Sequence, residues 1–397
     1  MSVHRRLMMQ KAMDDDIIDL SLQDIYGNPI TQTTANCYVV RKDGTYKIPL
    51  VFGNALKNGD VNSASYTKNS GIYSHDFVDY NGTNVTSPYI ENVSGVAASA
   101  QLSIADTDGI FTDISIVEGS PCRYLKFNVA SVPTTGANGV LSIKDSGGVI
   151  MWNWHIWVWE DDLTPVEITN NNGYKYNILP YNLASKWDED SKEHIKNWFY
   201  QWGRSNPMLC PLAYNSKSNH TSYGVLSYAV ESIASNIQTG IKNPTTFYKY
   251  SSSYNYNWFQ AYSGKTYNLW DSACTSTGNS DNNVIKTIYD PCPIGFKMPN
   301  GNTFNYFYVS SVGSFANGRK FKRYSGDKVG VFFPASGRMN GADGTLVYAS
   351  TRGYVWLSSA YSQYNAHYLY FTSDYVDTQN YDNYANGLSV RPVQEYD

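Results

Sequence analysis

The final stretch of the chain, Gly353 to Val393, carries two interleaved patterns that restrict the fold more than any other segment. One is a sparse framework: Gly353, Trp356, Ser358, Ser359, Ala366, Leu369, Phe371, Ser373, Val376, Gly387, Ser389, Val390 and Arg391. The other fills the gaps from few residue types. From Ala360 to Tyr384 there are seven Tyr, three Asn, three Asp and two Ser, and no Lys, Arg, Glu, Gly or Pro. Strand geometry separates the two patterns around Leu369, because side chains alternate across a strand with period two. Leu369, Phe371 and Ser373 then face one way, as core. Tyr368, Tyr370, Thr372 and Asp374 face the other way. That second row combines large, fairly rigid Tyr area with small polar groups, the mixture used by antibody paratopes. Aromatic residues favour strands in any case, so an ordinary Tyr-rich strand has a similar composition.

The whole chain sets the context. At 397 residues, two or three domains are expected from a prior of about 150 residues each. Charged residues are 16% of the total and the net charge is −4, so no basic surface argues for nucleic acid. Aromatics reach 15%, with 35 Tyr and 10 Trp, which suits an extracellular β-rich binding protein better than a metabolic enzyme. The five cysteines, Cys37, Cys122, Cys210, Cys274 and Cys292, are odd in number and widely spaced. They form no metal pattern and no disulfide scaffold; isolated thiols are expected, with a Cys274–Cys292 bridge as the alternative.

Residues 1–17 read as a short N-terminal arm. Asp14 to Asp16 interrupt it before an apolar export segment forms, so no signal peptide is read there, and nothing later is long enough to span a membrane. Residues 18–164 read as an all-β sandwich, with strands at Asn36–Val40, Thr45–Phe52, Gln101–Ile104, Asp113–Val117, Cys122–Val129, Val140–Lys144 and Val149–Trp159. In the last of these, Trp152, Trp154, Ile156 and Val158 share one face, and Asn153, His155, Trp157 and Trp159 share the other. Residues 165–173 are polar and contain Pro165, which suggests a linker. Residues 174–397 then form a second, α+β domain. Helices are expected at Asp190–Phe199, Ser227–Ile237 and Asn302–Val312, with a loop-rich region from Tyr250 to Asn283.

Several motifs in the second domain occur in a telling order. They are Tyr200-Gln201-Trp202-Gly203-Arg204, Asp290-Pro291-Cys292-Pro293-Ile294-Gly295-Phe296, Phe333-Pro334-Ala335-Ser336-Gly337-Arg338, Gly353-Tyr354-Val355-Trp356-Leu357-Ser358-Ser359 and Gly387-Leu388-Ser389-Val390-Arg391-Pro392-Val393. Together they resemble the C-type-lectin-like domains of Bacteroidetes surface proteins, including the Fibrobacter-type paralogous domains and, more distantly, formylglycine-generating enzymes. The match covers about residues 174–393. The N-terminal half, through Thr34-Ala35-Asn36-Cys37-Tyr38-Val39-Val40 and Val51-Phe52-Gly53-Asn54, looks more loosely like the Ig-like or fimbrillin-like β domains that accompany such modules.

The final stretch looks like the variable region of a target protein of a diversity-generating retroelement. In that family an error-prone reverse transcription step randomises template adenines, and an AAC codon then yields Tyr, Asn, Asp, Ser, Thr, His, Ala or Leu, among others, but not Lys, Glu or Trp. The resemblance implies that the ligand is bound by variable positions. These are Tyr354, Leu357, Ala360, Tyr361, Ser362, Tyr364, Asn365, His367, Tyr368, Tyr370, Thr372, Asp374, Tyr375, Asp377, Asn380, Tyr381, Asp382, Asn383 and Tyr384. Gln363 and Gln379 do not arise from AAC. Trp202, Cys292, Trp356, Leu369, Phe371, Gly387 and Arg391 are expected as constant framework.

No catalytic constellation is read. Formylglycine-generating enzymes need reactive cysteines late in the chain, and none follows Cys292, which leaves a degenerate enzyme of that type as a remote alternative. No Glu-Pro-Asn type calcium motif occurs. His4, His75, His155, His194, His220 and His367 are scattered without metal-ligand spacing. The acidic run Asp188-Glu189-Asp190 suits a solvated face. No phosphate loop or nucleophile elbow occurs. The expected protein is a non-enzymatic receptor-binding protein without cofactor or metal, directed at a cell-surface protein or glycan. A phage tail tip, assembled without export, and a type V pilus tip or bacterial surface are the two display settings. Tail or pilus subunits would contact the N-terminal region, and several copies per tip are compatible with avidity.

Overall fold

The computed structural model describes residues 17–188, 193–209, 229–254, 256–260, 266–308 and 312–395. Residues 1–16, nearly all of the expected arm, lie outside them, as does Cys210. The chain is β-rich, and among the described residues helix is confined to short pieces such as Ile90–Ser94 and Ile237–Lys242.

Two four-stranded sheets form the N-terminal half. The first runs Ile18–Asp19, Gly44–Pro49, Tyr124–Val129, Phe111–Val117 in spatial order. The second runs Cys37–Val40, Ile150–Val158, Ala137–Lys144, Ser99–Ala105. Each strand expected from the sequence of this half overlaps one of these. The tryptophan-rich strand Ile150–Val158 is central and pairs parallel with Cys37–Val40 and antiparallel with Ala137–Lys144. Its two faces have different partners. Trp152 meets Phe52 edge-on at 5.0 Å, while His155 stacks on Trp198 of the C-terminal half at 6.3 Å. A strand covered on both faces reads as a continuous apolar run, which explains four indoles within eight residues, all buried.

The C-terminal half carries three larger sheets. Val166–Thr169, Lys175–Ile178, Val393–Gln394 and Phe296–Lys297 form one. The segment 165–173, expected as a linker, supplies the strand Val166–Thr169 and the turn of its hairpin with Lys175–Ile178. A second sheet orders Met208–Leu209, Trp198–Gln201, Gly387–Leu388, Arg338–Met339 and Leu346–Val347. The third is the antiparallel C-terminal sheet: Gly353–Ala360, then Asn365–Phe371 in the centre, then Val376–Asn383 at the edge. Among the described residues no strand ladder crosses from one half to the other. Only the isolated bridge between Cys37 and Pro293 does so.

The apolar core, in contrast, crosses freely. One buried cluster contains Phe52, Trp152 and Trp154 together with Trp202, Trp356 and Tyr384. Buried polar groups tie the halves as well. Asp106 accepts from the Asn138 backbone and side-chain amides, each at 2.8 Å, and from Trp198 Nε1 at 2.9 Å, with Lys196 Nζ at 3.3 Å. His155 Nε2 donates to Asn138 Oδ1 at 2.9 Å, and burial pushes this imidazole down to about 3, so it is neutral. Asn36 donates to the Ile288 and Asp290 carbonyls at 2.6 and 2.8 Å. A buried carboxyl group such as that of Asp106 is tolerable only because its acceptor sites are filled in this way.

The expected helices are corrected by the structure. Within 190–199, Glu193–Lys196 and Trp198–Gln201 are strands, and Trp198, Phe199 and Tyr200 are fully buried. Aromatic side chains suit a pleated, covered surface. Within 227–237, Ala229–Glu231 is a strand, and residues 227–228 lie outside the description. Helix begins only at Ile237, where the Asn236 side chain accepts from Thr239 N at 3.0 Å as an N-cap. Residues 302–306 form turns, and 309–311 are outside the described set. Cys37, Cys122, Cys274 and Cys292 are free thiols, so no Cys274–Cys292 bridge forms.

Candidate functional site

The C-terminal sheet separates two cores. Val355, Leu357, Leu369 and Phe371 enter one apolar cluster with Phe321 and Phe333. Tyr354, Trp356, Ala366 and Tyr368 enter the large cluster on the opposite face. Period-two alternation does place Leu369 and Phe371 together. Gly353 is needed opposite Phe371, whose ring occupies the space a Cβ there would take. The large cluster also covers the opposite face at Tyr368, however, so within the Tyr row only Tyr370 and the positions beyond it keep access to solvent.

The expected binding positions divide sharply by exposure. Tyr354, Leu357, Ala360, His367, Tyr368 and Tyr384 are buried, a correction to the reading of these as contact residues. Each is held by packing. Tyr354 and Trp356 lie against Tyr368, with centroids at 5.7 and 6.0 Å, and Tyr384 stacks on Trp202 at 4.4 Å with the rings 13° apart. Burial raises the Tyr368 and Tyr384 phenols above their ordinary range. Ser373 is corrected too: it leaves the core face and is exposed in a turn.

The accessible positions lie on the edge strand and the two turns that flank the central strand. Tyr361, Tyr375 and Tyr381 are 40%, 51% and 45% exposed, and Asp374 is exposed with them. Ser362, Tyr364, Asn365, Tyr370, Thr372, Asp377, Asn380, Asp382 and Asn383 are half-buried. The turns are built by short polar side chains. Ser362 Oγ accepts from the Tyr364 and Asn365 amides at 3.1 and 3.2 Å, and Thr372 Oγ1 accepts from Tyr375 N at 3.0 Å. Tyr361 and Tyr381 stack face to face, 3.6 Å between centroids and 3° from parallel. Buried His367 meets the Tyr361 ring edge-on at 5.2 Å and donates from Nδ1 to the Gln379 carbonyl at 2.9 Å. Burial lowers this imidazole, which fits a neutral donor.

The edge strand is closed locally as a strand acceptor. Asp377 Oδ1 accepts from Gln379 N at 3.0 Å, Asn380 Oδ1 from Tyr381 N at 2.8 Å, and Asp382 Oδ1 from Asn383 N at 2.8 Å. Side chains thus occupy amides that an edge otherwise offers to another chain. What remains for recognition is side-chain surface.

Trp202, Cys292, Trp356, Leu369, Phe371, Gly387 and Arg391 are all buried. Trp202 Nε1 donates to the Leu357 carbonyl at 3.0 Å and Trp356 Nε1 to the Tyr200 carbonyl at 2.8 Å. The Cys292 amide donates to Asp290 at 2.8 Å, fixing the Pro-Cys-Pro turn. Gly387 pairs with Gln201 and Met339. Arg391 is a cation in the core: Nε donates to Asn182 at 2.8 Å and Nη1 to the Pro180 carbonyl at 2.9 Å, with its plane 4.0 Å from the Phe333 ring. Burial brings it down to about 9.

Residues outside Gly353–Val393 also reach this face, and the local sequence pattern gave no sign of them. Arg338 pairs with Asp382, Arg319 Nη2 donates to the Thr372 carbonyl at 2.8 Å, and Gln379 donates to Asn302 at 2.9 Å. A polar pocket of about 240 Å³, lined in part by Asn279, Asn300, Ser358 and Ser359, opens beside the first strand. Among the described residues, no group of three His, Cys, Asp or Glu is placed to hold a metal ion, and no helix is long and apolar enough to cross a membrane.

Compared with known proteins, the chain matches no family model, no curated protein and no solved structure.

Proposed function

We propose that this chain is a displayed, non-catalytic receptor-binding protein. In this reading an Ig-like or fimbrillin-like sandwich carries a C-type-lectin-like domain whose C-terminal sheet is diversified by a retroelement. One observation carries the reading: the residue types expected from mutated Asn codons supply the exposed Tyr361, Tyr375 and Tyr381, while Trp356, Leu369 and Phe371 of the same sheet are fully buried. Exposed positions tolerate exchange, usually within about 0.5 kcal/mol, whereas trimming a buried Leu or Phe costs about 2–5 kcal/mol. A face of that kind can change its partner without losing its fold, because function lies in the site and not in the scaffold. The partner is a cell-surface protein or glycan, and the N-terminal half is the side available to a phage tail or, in the second reading, a pilus tip.

The DNA beside the gene tests this. A reverse transcriptase gene and a near-copy of the 3′ end, with adenines at the codons of the exposed Tyr and Asn positions, are expected. Tail-assembly genes alongside favour the phage setting and pilin genes the pilus setting. A locus with neither near-copy nor reverse transcriptase would remove the diversification reading.

A further inference from the structure

Arg352 stands immediately before the Tyr-rich stretch, and its bonding differs from that of the other described arginines. Arg123, Arg323 and Arg338 pair with Glu91, Asp327 and Asp382. Arg41, Arg204, Arg319 and Arg391 donate to backbone carbonyls. Among the described residues, the Arg352 guanidinium has neither a carboxylate nor a carbonyl partner. Its guanidinium carbon sits over the Tyr348 ring, 3.9 Å from the centroid, with the Tyr354 hydroxyl as a polar neighbour. Tyr348 is 44% exposed and Arg352 is half-buried.

The turn that presents this pair is held against its own preference. Tyr348 and Ser350 both have φ of +63°, a left-handed conformation that a bulky side chain rarely adopts. Backbone bonds impose it: Arg352 N donates to the Tyr348 carbonyl at 3.0 Å, Ser350 N to Ala335 at 2.8 Å, and Gly337 N to the Arg352 carbonyl at 2.9 Å. Strain that the surroundings over-determine in this way is concentrated at functional positions. The pair also continues into the candidate face. Tyr354 lies 5.3 Å from Tyr370, which lies 5.9 Å from exposed Tyr375. The nearby acids are already engaged: Asp382 by Arg338, Asp377 by the Gln379 amide, and Asp374 by the Thr372 hydroxyl.

We propose that Arg352 is a constant anchor that pairs with an Asp or Glu side chain on the surface of a partner protein, beside the positions that vary. A guanidinium stacked on one face keeps its edge donors available, and their fork matches a carboxylate in two parallel bonds. Arg and Tyr are also the residues that dominate binding energy at protein interfaces. Among the described residues the Arg352 guanidinium has no carboxylate partner within the chain, so the complementary partner group is a carboxylate. This inference rests on the C-terminal sheet being the binding face.

The test displays the full chain on phage with Tyr361, Tyr370, Tyr375, Asn380 and Tyr381 randomised, in wild-type, Arg352→Leu and Arg352→Lys backgrounds. Each library is panned against serum albumin and against methyl-esterified serum albumin, whose carboxylates are blocked. Albumin binders should be recovered about tenfold more often with Arg352 than with Leu, with Lys between them. On the esterified protein the three backgrounds should be equal. Thermal melts of the unselected variants check folding. If the Leu background proves unstable, Arg against Lys decides, with a gap of about threefold expected. Equal recovery on albumin from all folded backgrounds would overturn the anchor while leaving the binding face intact. A failure to obtain binders from any background would overturn the binding face and the anchor with it.

Discussion

Replacing Tyr384 with Asn is expected to destabilise the protein by about 3–5 kcal/mol, although Asn is among the residues that mutated codons would place there. Tyr384 is fully buried. Its ring stacks on Trp202, and its hydroxyl donates to the Ser362 carbonyl at 2.9 Å, pinning the turn that presents Tyr361. Truncation leaves a cavity beside an indole, forfeits an aromatic pair worth about 1 kcal/mol beyond its area, and frees the turn. Total stabilities of about 5–15 kcal/mol leave little room for such a loss. Thermal unfolding should shift downward by on the order of 10 °C. An unchanged melt would mean that Tyr384 is not packed as described.

The opposite combination of effects is expected for Tyr361, Tyr375 and Tyr381 replaced together by Ser. Attachment to the cognate cell should fall by at least ~10³-fold, since single aromatic anchors at interfaces often carry about 2 kcal/mol or more. The melting temperature should move by only a few degrees. The main folded-state loss is the Tyr361–Tyr381 stack, which is on the order of 1 kcal/mol. Tyr368 does not belong in this set. It is 5% exposed and packs against Trp356, so its replacement would confuse a loss of fold with a loss of contact. Wild-type attachment by the triple variant would move the site away from the edge strand and turns.

The two expectations mark how far the sequence could be read. Leu369 and Phe371 were legible because alternation is a local rule of strand geometry, and both lie in the core as expected. Burial of Tyr354, Tyr368 and Tyr384 was not legible. A Tyr row looks open when one assumes a sheet with a single covered face, and here the large core closes over the second face. The strand at Ile150–Val158 showed the same two-sided burial more openly, because its polar positions are few. The turn at 348–352 carries no composition signal; its interest lies in two positive φ values and a cation that, among the described residues, has no carboxylate partner, which only coordinates reveal. The misread helices have a similar cause. A capping residue at Asp190 or Ser191 suggests a helix up to Phe199, but Trp198 and Phe199 pair with Met208–Leu209, and the same strand continues through Tyr200 and Gln201 onto Gly387–Leu388, far along the chain. Arg391 was marked by its motif, yet its role depends on partners such as Pro180 and Asn182, some two hundred positions away.

The most direct measurement of the central claim is deep sequencing of the 3′ end of this gene across a growing population that carries it. Substitutions should concentrate at Tyr361, Tyr370, Tyr375, Asn380 and Tyr381, and replace Tyr and Asn by residues reachable from mutated adenines. The codons for Trp356, Leu369, Phe371 and Arg391 should remain constant. Substitutions spread evenly over buried and exposed codons, or a stretch that never varies, would contradict the account.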